Sequence, residues 1–150
     1  MEEYLEKQAF SLTGNIRSHF VSHLIATAKD HQFDPWLILA IIKVESSFKS
    51  HVVSNRGAIG LLQLKTIAAK EVSIKFNEKN VGRHELFNPF INVKIGIQYL
   101  SCLRNQVGRD QSRILAAYNA GPTMLKQNAG VSSGYAFKVL RAYRELSKKS

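Results

Sequence analysis

The sequence predicts a mainly α-helical fold, and three observations carry that prediction. Apolar residues recur at the three-to-four spacing of a helix face rather than in alternation. Asp34-Pro35 and Asn88-Pro89 each pair a capping side chain with a proline suited to the first helical position. Strand signals are weak: Val52-Val53 alone reads as extended, with no hairpin partner in view. A chain of 150 residues with 45% apolar residues is the size of one domain and buries a real core.

The elements follow in order. Ile16 to Lys29 reads as an amphipathic helix with Ile16, Phe20, Leu24 and Ile25 on one side. Asp34-Pro35 opens a second helix through Trp36-Leu37-Ile38-Leu39-Ala40-Ile41-Ile42. It is apolar all round, which places it in the middle of the fold. Ser54 to Gln63, rich in small residues and glycine, reads as a loop entering a short helix, and Thr66 to Phe76 as a helix. Asn88-Pro89 starts a helix that runs to about Arg104. Asp110 caps another that ends near Asn119, with Gly121 and Pro122 as its stop, and Tyr135 to Leu146 is the last.

Lys and Arg number 21 against 11 Asp and Glu, a net charge of +10, which favours an anionic partner without choosing among nucleic acid, anionic lipid and bacterial wall. The basic residues are spread along the chain, so a merely solvated surface is equally compatible. The single cysteine, Cys102, excludes an internal disulfide and a multi-cysteine zinc site, and its apolar surroundings predict a buried thiol. The longest apolar run, Trp36 to Ile42, is too short to span a bilayer. The acidic start Met1-Glu2-Glu3 has no apolar segment after it, so no signal peptide is visible.

Glu45 stands out chemically. It falls at the C-terminal end of the most apolar helix, where burial and the helix dipole both disfavour a carboxylate and so favour the protonated form that a general acid needs. The alternative is an exposed helix-terminal glutamate followed by Ser46 and Ser47 as caps. In Gly57-Ala58-Ile59-Gly60-Leu61-Leu62-Gln63-Leu64, glycines allow close backbone approach, and Gln63 among leucines either bonds to backbone or points into a cleft. No phosphate-loop ending is present. Ala116 to Pro122 ends a helix with Tyr118 and Asn119 side by side, an aromatic face and an amide of the kind that holds sugars; a core tyrosine beside a helix-terminal asparagine reads equally well. His19 and His23 are four apart, but without a zinc-protease glutamate or a third ligand they do not make a metal site.

Taken together, these segments resemble the lytic transglycosylase family with a goose-type-lysozyme-like catalytic domain. The matching pieces are Glu45-Ser46-Ser47-Phe48; Gly57 to Leu64; Asn88-Pro89 with Asn92, Gly96 and Tyr99-Leu100; and Ala116 to Pro122. They lie in the family's order, and Tyr135 with Lys138-Val139 adds a less specific match. The resemblance covers about residues 34–143 and implies a single lysozyme-like helical domain over 1–150, with a central buried helix and a substrate cleft. It implies that Glu45 is the sole catalytic acid and base, with Ser54 hydrogen-bonding near its carboxyl. Gln63, Tyr118 and Asn119 would line the cleft and hold sugar N-acetyl or hydroxyl groups. Gly60 would let the glycan approach, and Leu62 and Tyr135 would count among the substrate-binding residues. Leu62 and Lys65 stand where the family often has Met. Val131 and Ser133 stand where it often has Glu and Arg, and Ala136 replaces a usual Val.

The implied activity is cleavage of the β-1,4 bond between N-acetylmuramic acid and N-acetylglucosamine in peptidoglycan, leaving 1,6-anhydromuramoyl ends. No cofactor or metal is implied. The expected partner is the peptidoglycan glycan strand, with no nucleic acid and no stable membrane insertion, acting as a monomer in the periplasm or cell envelope after export. The rivals are a hydrolytic lysozyme, which would need a second acid to activate water, and a non-catalytic wall-binding module, which would not need Glu45. A basic nucleic-acid-binding domain would show steep salt dependence, but no recognition-helix signature is present.

Overall fold

The computed structural model describes residues 1–8, 10–79, 81–123 and 134–148. Among these the regular structure is helical: α1 (Glu2–Glu6), α2 (Gly14–Asp30), α3 (Pro35–Ser46), α4 (Thr66–Lys75), a 3-10 turn (Glu85–Phe87), α5 (Pro89–Val107), α6 (Gln111–Ala120) and α7 (Gly134–Ser147). The starts that the sequence announces are built as their residues dictate. The Asp34 carboxylate accepts the Trp36 N–H at 2.8 Å, Asn88 accepts the N–H groups of Phe90 and Ile91 at 2.9 and 3.3 Å, and Asp110 accepts that of Arg113 at 2.8 Å.

Helix α3 is the central element. Leu37 to Ile42 are all buried, and α3 packs against α2 and, most extensively, α7. Its burial follows from its lack of a polar stripe, since a helix that is apolar all round has no face to give to water. Helix α5 forms the other spine, touching α2, α4, α6 and the 3-10 turn. Cys102 is buried on it, as expected. No helix among the described residues is long and apolar enough to cross a membrane.

Several boundaries and faces differ from the sequence reading. Ile16 is 55% exposed, and the buried stripe of α2 is Phe20, Val21, Leu24 and Ala28. Helix α5 runs three residues beyond Arg104 to Val107, where Gly108 ends it with a φ of 89°. The segment 54–63 does not enter a short helix. It folds back on itself, with isolated antiparallel bridges joining Val53 to Ile59 and Ile59 to Leu64, and α4 begins only at Thr66. Val53 is thus extended, as expected, but its partner is the neighbouring loop residue Ile59.

That folded loop is held by one side chain. Asn92, fully buried on α5, accepts the Leu62 N–H at 2.9 Å and donates to the carbonyls of Ile59 at 2.9 Å and Leu86 at 2.8 Å. The approach is possible because residue 60 is glycine: a Cβ there would collide with the Asn92 amide and lie 2.8 Å from the Leu86 oxygen, and the φ of 77° is itself costly for other residues. Gly96, one helical turn further along α5, makes room for Leu62 in the same way, since a Cβ there would lie 3.1 Å from the Leu62 Cβ. Replacing Asn92 by alanine leaves the Leu86 carbonyl and the Leu62 N–H buried without that partner, while the Ile59 carbonyl keeps the Leu64 N–H. We expect a stability loss of roughly 3 kcal/mol, read from denaturant unfolding. A loss below about 1 kcal/mol would show that the loop holds its shape by other means.

Candidate active site

Glu45 lies in the last turn of α3, after which Ser47 and Phe48 both take left-handed backbone angles, with φ of 49° and 66°. The reversal ends the helix with the Glu45 carboxyl at the wall of a cleft of about 320 Å³. Ser54, Arg56, Ala58, Gln63, Leu64 and Lys65 line one side, followed by Ala68 of α4. Tyr99 of α5 and Tyr118 to Gly121 at the end of α6 line the other. Glu45 is the one acidic residue among the described residues that line it.

The carboxyl is half-buried and held by one strong hydrogen bond. The Tyr135 hydroxyl, delivered by the first turn of α7, donates to Glu45 Oε1 at 2.6 Å. Tyr118 stacks on Tyr135 with ring centroids 6.5 Å apart and planes within 11°, and Tyr99 packs on Tyr118 at 5.5 Å. The Tyr118 hydroxyl donates to the Leu62 carbonyl at 2.5 Å, which ties the loop to α6. Three tyrosines from three helices therefore form one wall.

Burial raises the Glu45 pKa above the ordinary carboxylate value, and the Tyr135 hydrogen bond, which favours the charged form, only partly opposes it. The helix C-terminus acts in the same direction as burial. Lys43 does not counter this, because it faces Glu145 of α7 at 3.7 Å. Tyr118 and Tyr135 are both pushed well above the usual phenol range, first by burial and then by the Glu45 charge, so both remain neutral donors near neutral pH. The arrangement is that of a proton donor with a fixed lone-pair direction beside an aromatic shelf.

The structure brings Glu45, Ser54, Gln63, Tyr118 and Asn119 together around the cleft. Gln63 does both things its setting allowed: its amide nitrogen donates to the carbonyls of Val52 and Gly60 at 3.1 and 3.0 Å, while the side chain lines the cleft. Ser54 is beside the site, but its hydroxyl accepts the Ala58 N–H at 3.0 Å, and the described residues show no hydrogen bond from it to Glu45. Two assignments are corrected. Gly60 is buried, and its missing side chain makes room for Asn92 rather than for a glycan. Leu62 has no exposed surface and packs on Gly96, so it supports the cleft without lining it. Val131 and Ser133 lie outside the described residues.

Other site features were not singled out from sequence. Tyr99 lines the cleft, yet the sequence offered it only as part of the family match on α5 and not as a site residue. The Tyr143 hydroxyl donates to Asp34 at 2.6 Å, which joins the far end of α7 to the cap of α3 and pushes the Tyr143 phenol up to about 12. A contact across 109 positions leaves no local pattern to read.

The Transglycosylase SLT domain family matches residues 22–140. The membrane-bound lytic murein transglycosylase E of Buchnera aphidicola subsp. Baizongia pistaciae is 39% identical over 92 residues, covering 59% of this chain and 43% of that protein. The membrane-bound lytic murein transglycosylase C of Sodalis glossinidius is 29% identical over 146 residues, 91% of this chain and 39% of that one. The chain thus spans about two fifths of the length of these relatives. Among solved structures, an inactive mutant of the lytic transglycosylase Slt from Pseudomonas aeruginosa superposes with a TM-score of 0.78 at 29% identity, covering 85% of this chain and 24% of that one. The 70 kDa soluble lytic transglycosylase of Escherichia coli gives 0.75 at 26%, with the same coverage of each chain.

Two expectations follow from the state of Glu45. Its folded pKa is raised above the unfolded value of about 4.3, so its burial is harmless below that value and destabilises the fold as pH rises through the folded pKa. Glu45→Gln therefore raises the melting temperature at neutral pH, and the gain shrinks in acid. A variant less stable than its parent at neutral pH would show that burial is not the dominant influence. Tyr135→Phe removes a side-chain donor that favours the carboxylate. A titration of Glu45 followed by NMR then moves to still higher pH, and a downward move would contradict the geometry.

Proposed function

The chain belongs to the Transglycosylase SLT domain family, and from that premise we propose that it is a peptidoglycan lytic transglycosylase in which Glu45 is the only catalytic acid and base. The observation that carries this reading is a single carboxyl in the described cleft lining, held by Tyr135 and with its proton affinity raised by burial. A proton donor of raised pKa at the scissile oxygen is what glycosidic cleavage requires.

In the proposed reaction Glu45 gives its proton to the oxygen that bridges muramic acid C1 and N-acetylglucosamine C4. The C1–O bond breaks, and the acetamide oxygen of the same muramoyl unit bonds to C1 as positive charge develops there. Glu45, now a carboxylate accepting from Tyr135, takes the proton of the C6 hydroxyl. That oxygen attacks C1, displaces the acetamide oxygen and closes the 1,6-anhydro ring. The acid is restored and no water is consumed. Gln63, Tyr118 and Asn119 orient the sugar; the Gln63 carbonyl oxygen and the exposed Asn119 amide supply polar contacts and the tyrosine wall the apolar one.

Two observations weigh against the rivals. A lysozyme that inverts at C1 needs a second acid some distance across the bond, and the described cleft lining holds none. Asp34 sits at the opposite end of α3, roughly 16 Å away along the helix axis, and is engaged by Trp36 and Tyr143. A binding module gains nothing from a carboxyl whose burial disfavours its charge. We further propose that the described elements form one catalytic domain over 1–150, acting as a monomer on glycan strands in the cell envelope.

Mass spectrometry of products from purified peptidoglycan tests the reaction. The muramoyl ends are expected to be one water lighter than reducing ends, and mainly reducing ends would promote the lysozyme reading. Glu45→Gln keeps the shape and the Tyr135 contact but cannot deliver a proton, so turnover is expected to fall by at least about 100-fold while glycan binding persists. Retention of most activity would place the acid elsewhere.

A further inference from the structure

Two cations share the cleft with Glu45 and are not used by the reaction above. Arg56 sits on the turn that Ser54 to Ala58 make, with its backbone held by the Gly57 N–H to Ser54 carbonyl bond at 2.9 Å and the Ser54 N–H to Ala58 carbonyl bond at 2.9 Å. Lys65 follows Leu64, whose N–H and carbonyl both pair with Ile59 at 3.0 Å, and it stands at the N-cap of α4. Both side chains are exposed, both line the cleft, and neither has an acidic partner among the described residues. They are also not what shifts Glu45, whose neighbours in that sense are burial and Tyr135. With Glu45 in its acid form, the described cleft lining therefore carries two positive charges and no negative one.

A chain of β-1,4-linked N-acetyl sugars carries no charge, so a cationic cleft has no use for the sugar backbone itself. The anionic groups of a muramoyl strand are carboxylates on the substituent at muramic acid C3. They are the lactyl carboxylate when no peptide is attached, or the carboxylates of the stem peptide when the lactyl group is amidated by it. We propose that Arg56 and Lys65 are specificity-determining residues that bind such a carboxylate and set the register in which a muramoyl unit, rather than a neutral sugar, lies beside Glu45. Arg56 on its turn and Lys65 at the N-cap of α4 flank the bridged segment that Asn92 bolts to α5, so their backbones are set by one frame. This inference rests on the muramoyl-glycan reading of the cleft.

Equilibrium binding to the Glu45→Gln protein, which binds without turnover, separates the two ideas. Three glycan probes are compared at low ionic strength: peptide-free strands, the same strands with lactyl carboxylates converted to methyl amides, and peptide-bearing strands. The Glu45→Gln protein is expected to prefer ionised over amidated strands, and the added pair Arg56→Gln and Lys65→Met to reduce that preference about tenfold, or 1.4 kcal/mol. A loss confined to peptide-free strands identifies the lactyl carboxylate as the ligand, and a loss confined to peptide-bearing strands identifies the stem peptide. Unchanged affinities for both the ionised peptide-free strands and the peptide-bearing strands, each relative to the amidated strands, in a variant with the parent's circular dichroism, would overturn the inference. So would the absence of any preference before the cations are removed. Cleavage without such a preference sinks this inference alone, whereas absence of cleavage by the unmodified protein sinks the reaction and leaves the binding comparison intact.

Discussion

The buried amide of Asn92 is the constraint on which the cleft depends. An asparagine side chain has one acceptor and two donated hydrogens to place, and here each meets a buried backbone group, two of which, the Leu62 N–H and the Leu86 carbonyl, would otherwise be stranded away from water. The loop that follows Glu45 closes on itself through its own backbone bonds, but its bridges are isolated pairs rather than ladders, and those bonds do not specify where the loop sits against the helices. Asn92 supplies the missing specification from a rigid helix, and Gly60 and Gly96 are the openings through which loop and helix reach contact distance. The loop in turn offers the Leu62 carbonyl to Tyr118, so the position of the aromatic wall is inherited from the same amide. A site assembled on loops is positioned as accurately as the elements that clamp them.

The acid itself is a compromise between two opposing demands. Burial raises the proton affinity of Glu45, while the base that the proposed reaction asks for in its second half must also tolerate the charge. Tyr135 mediates between them. Its hydroxyl favours the carboxylate without abolishing the upward shift, and its own raised pKa keeps it from surrendering its proton instead. The stack of Tyr118 on Tyr135 fixes the ring plane, so the donor direction is set by packing as well as by the hydrogen bond.

The helices whose ends carry strong local chemistry were legible in the sequence. Asp34-Pro35, Asn88-Pro89 and Asp110 mark starts that the structure reproduces, and the all-round apolar run of α3 located the core. Glu45 was legible for the same reason, since helix end and apolar surroundings are both local. What failed was attribution at a distance. Gly60 was read as room for a ligand because its partner, Asn92, lies 32 positions later and nothing local announces the pairing. Leu62 resembled a cleft residue because it stands beside Gln63, yet the left-handed backbone at Gln63 sends the two side chains to different places. The short helix α1 and the 3-10 turn were missed because each is too brief to show a period. Ile16 was placed inside because a helix period extrapolates past the point where neighbouring elements stop covering it.

The link between Tyr135 and Glu45 spans 90 positions, and α3, the most apolar helix, is covered chiefly by α7. During synthesis from the N-terminus, α3 emerges long before its cover exists. A helix of 12 residues with no polar face then waits exposed, a natural handle for holding chaperones and a hazard for aggregation in their absence. The same ordering delays competence. Glu45 does not have its Tyr135 donor until α7 docks, so a partly synthesised chain carries the carboxyl without that orienting contact. Assembly of the site from both ends of the fold thus acts as a timing device: the chain acquires its chemistry only on completing its tertiary structure.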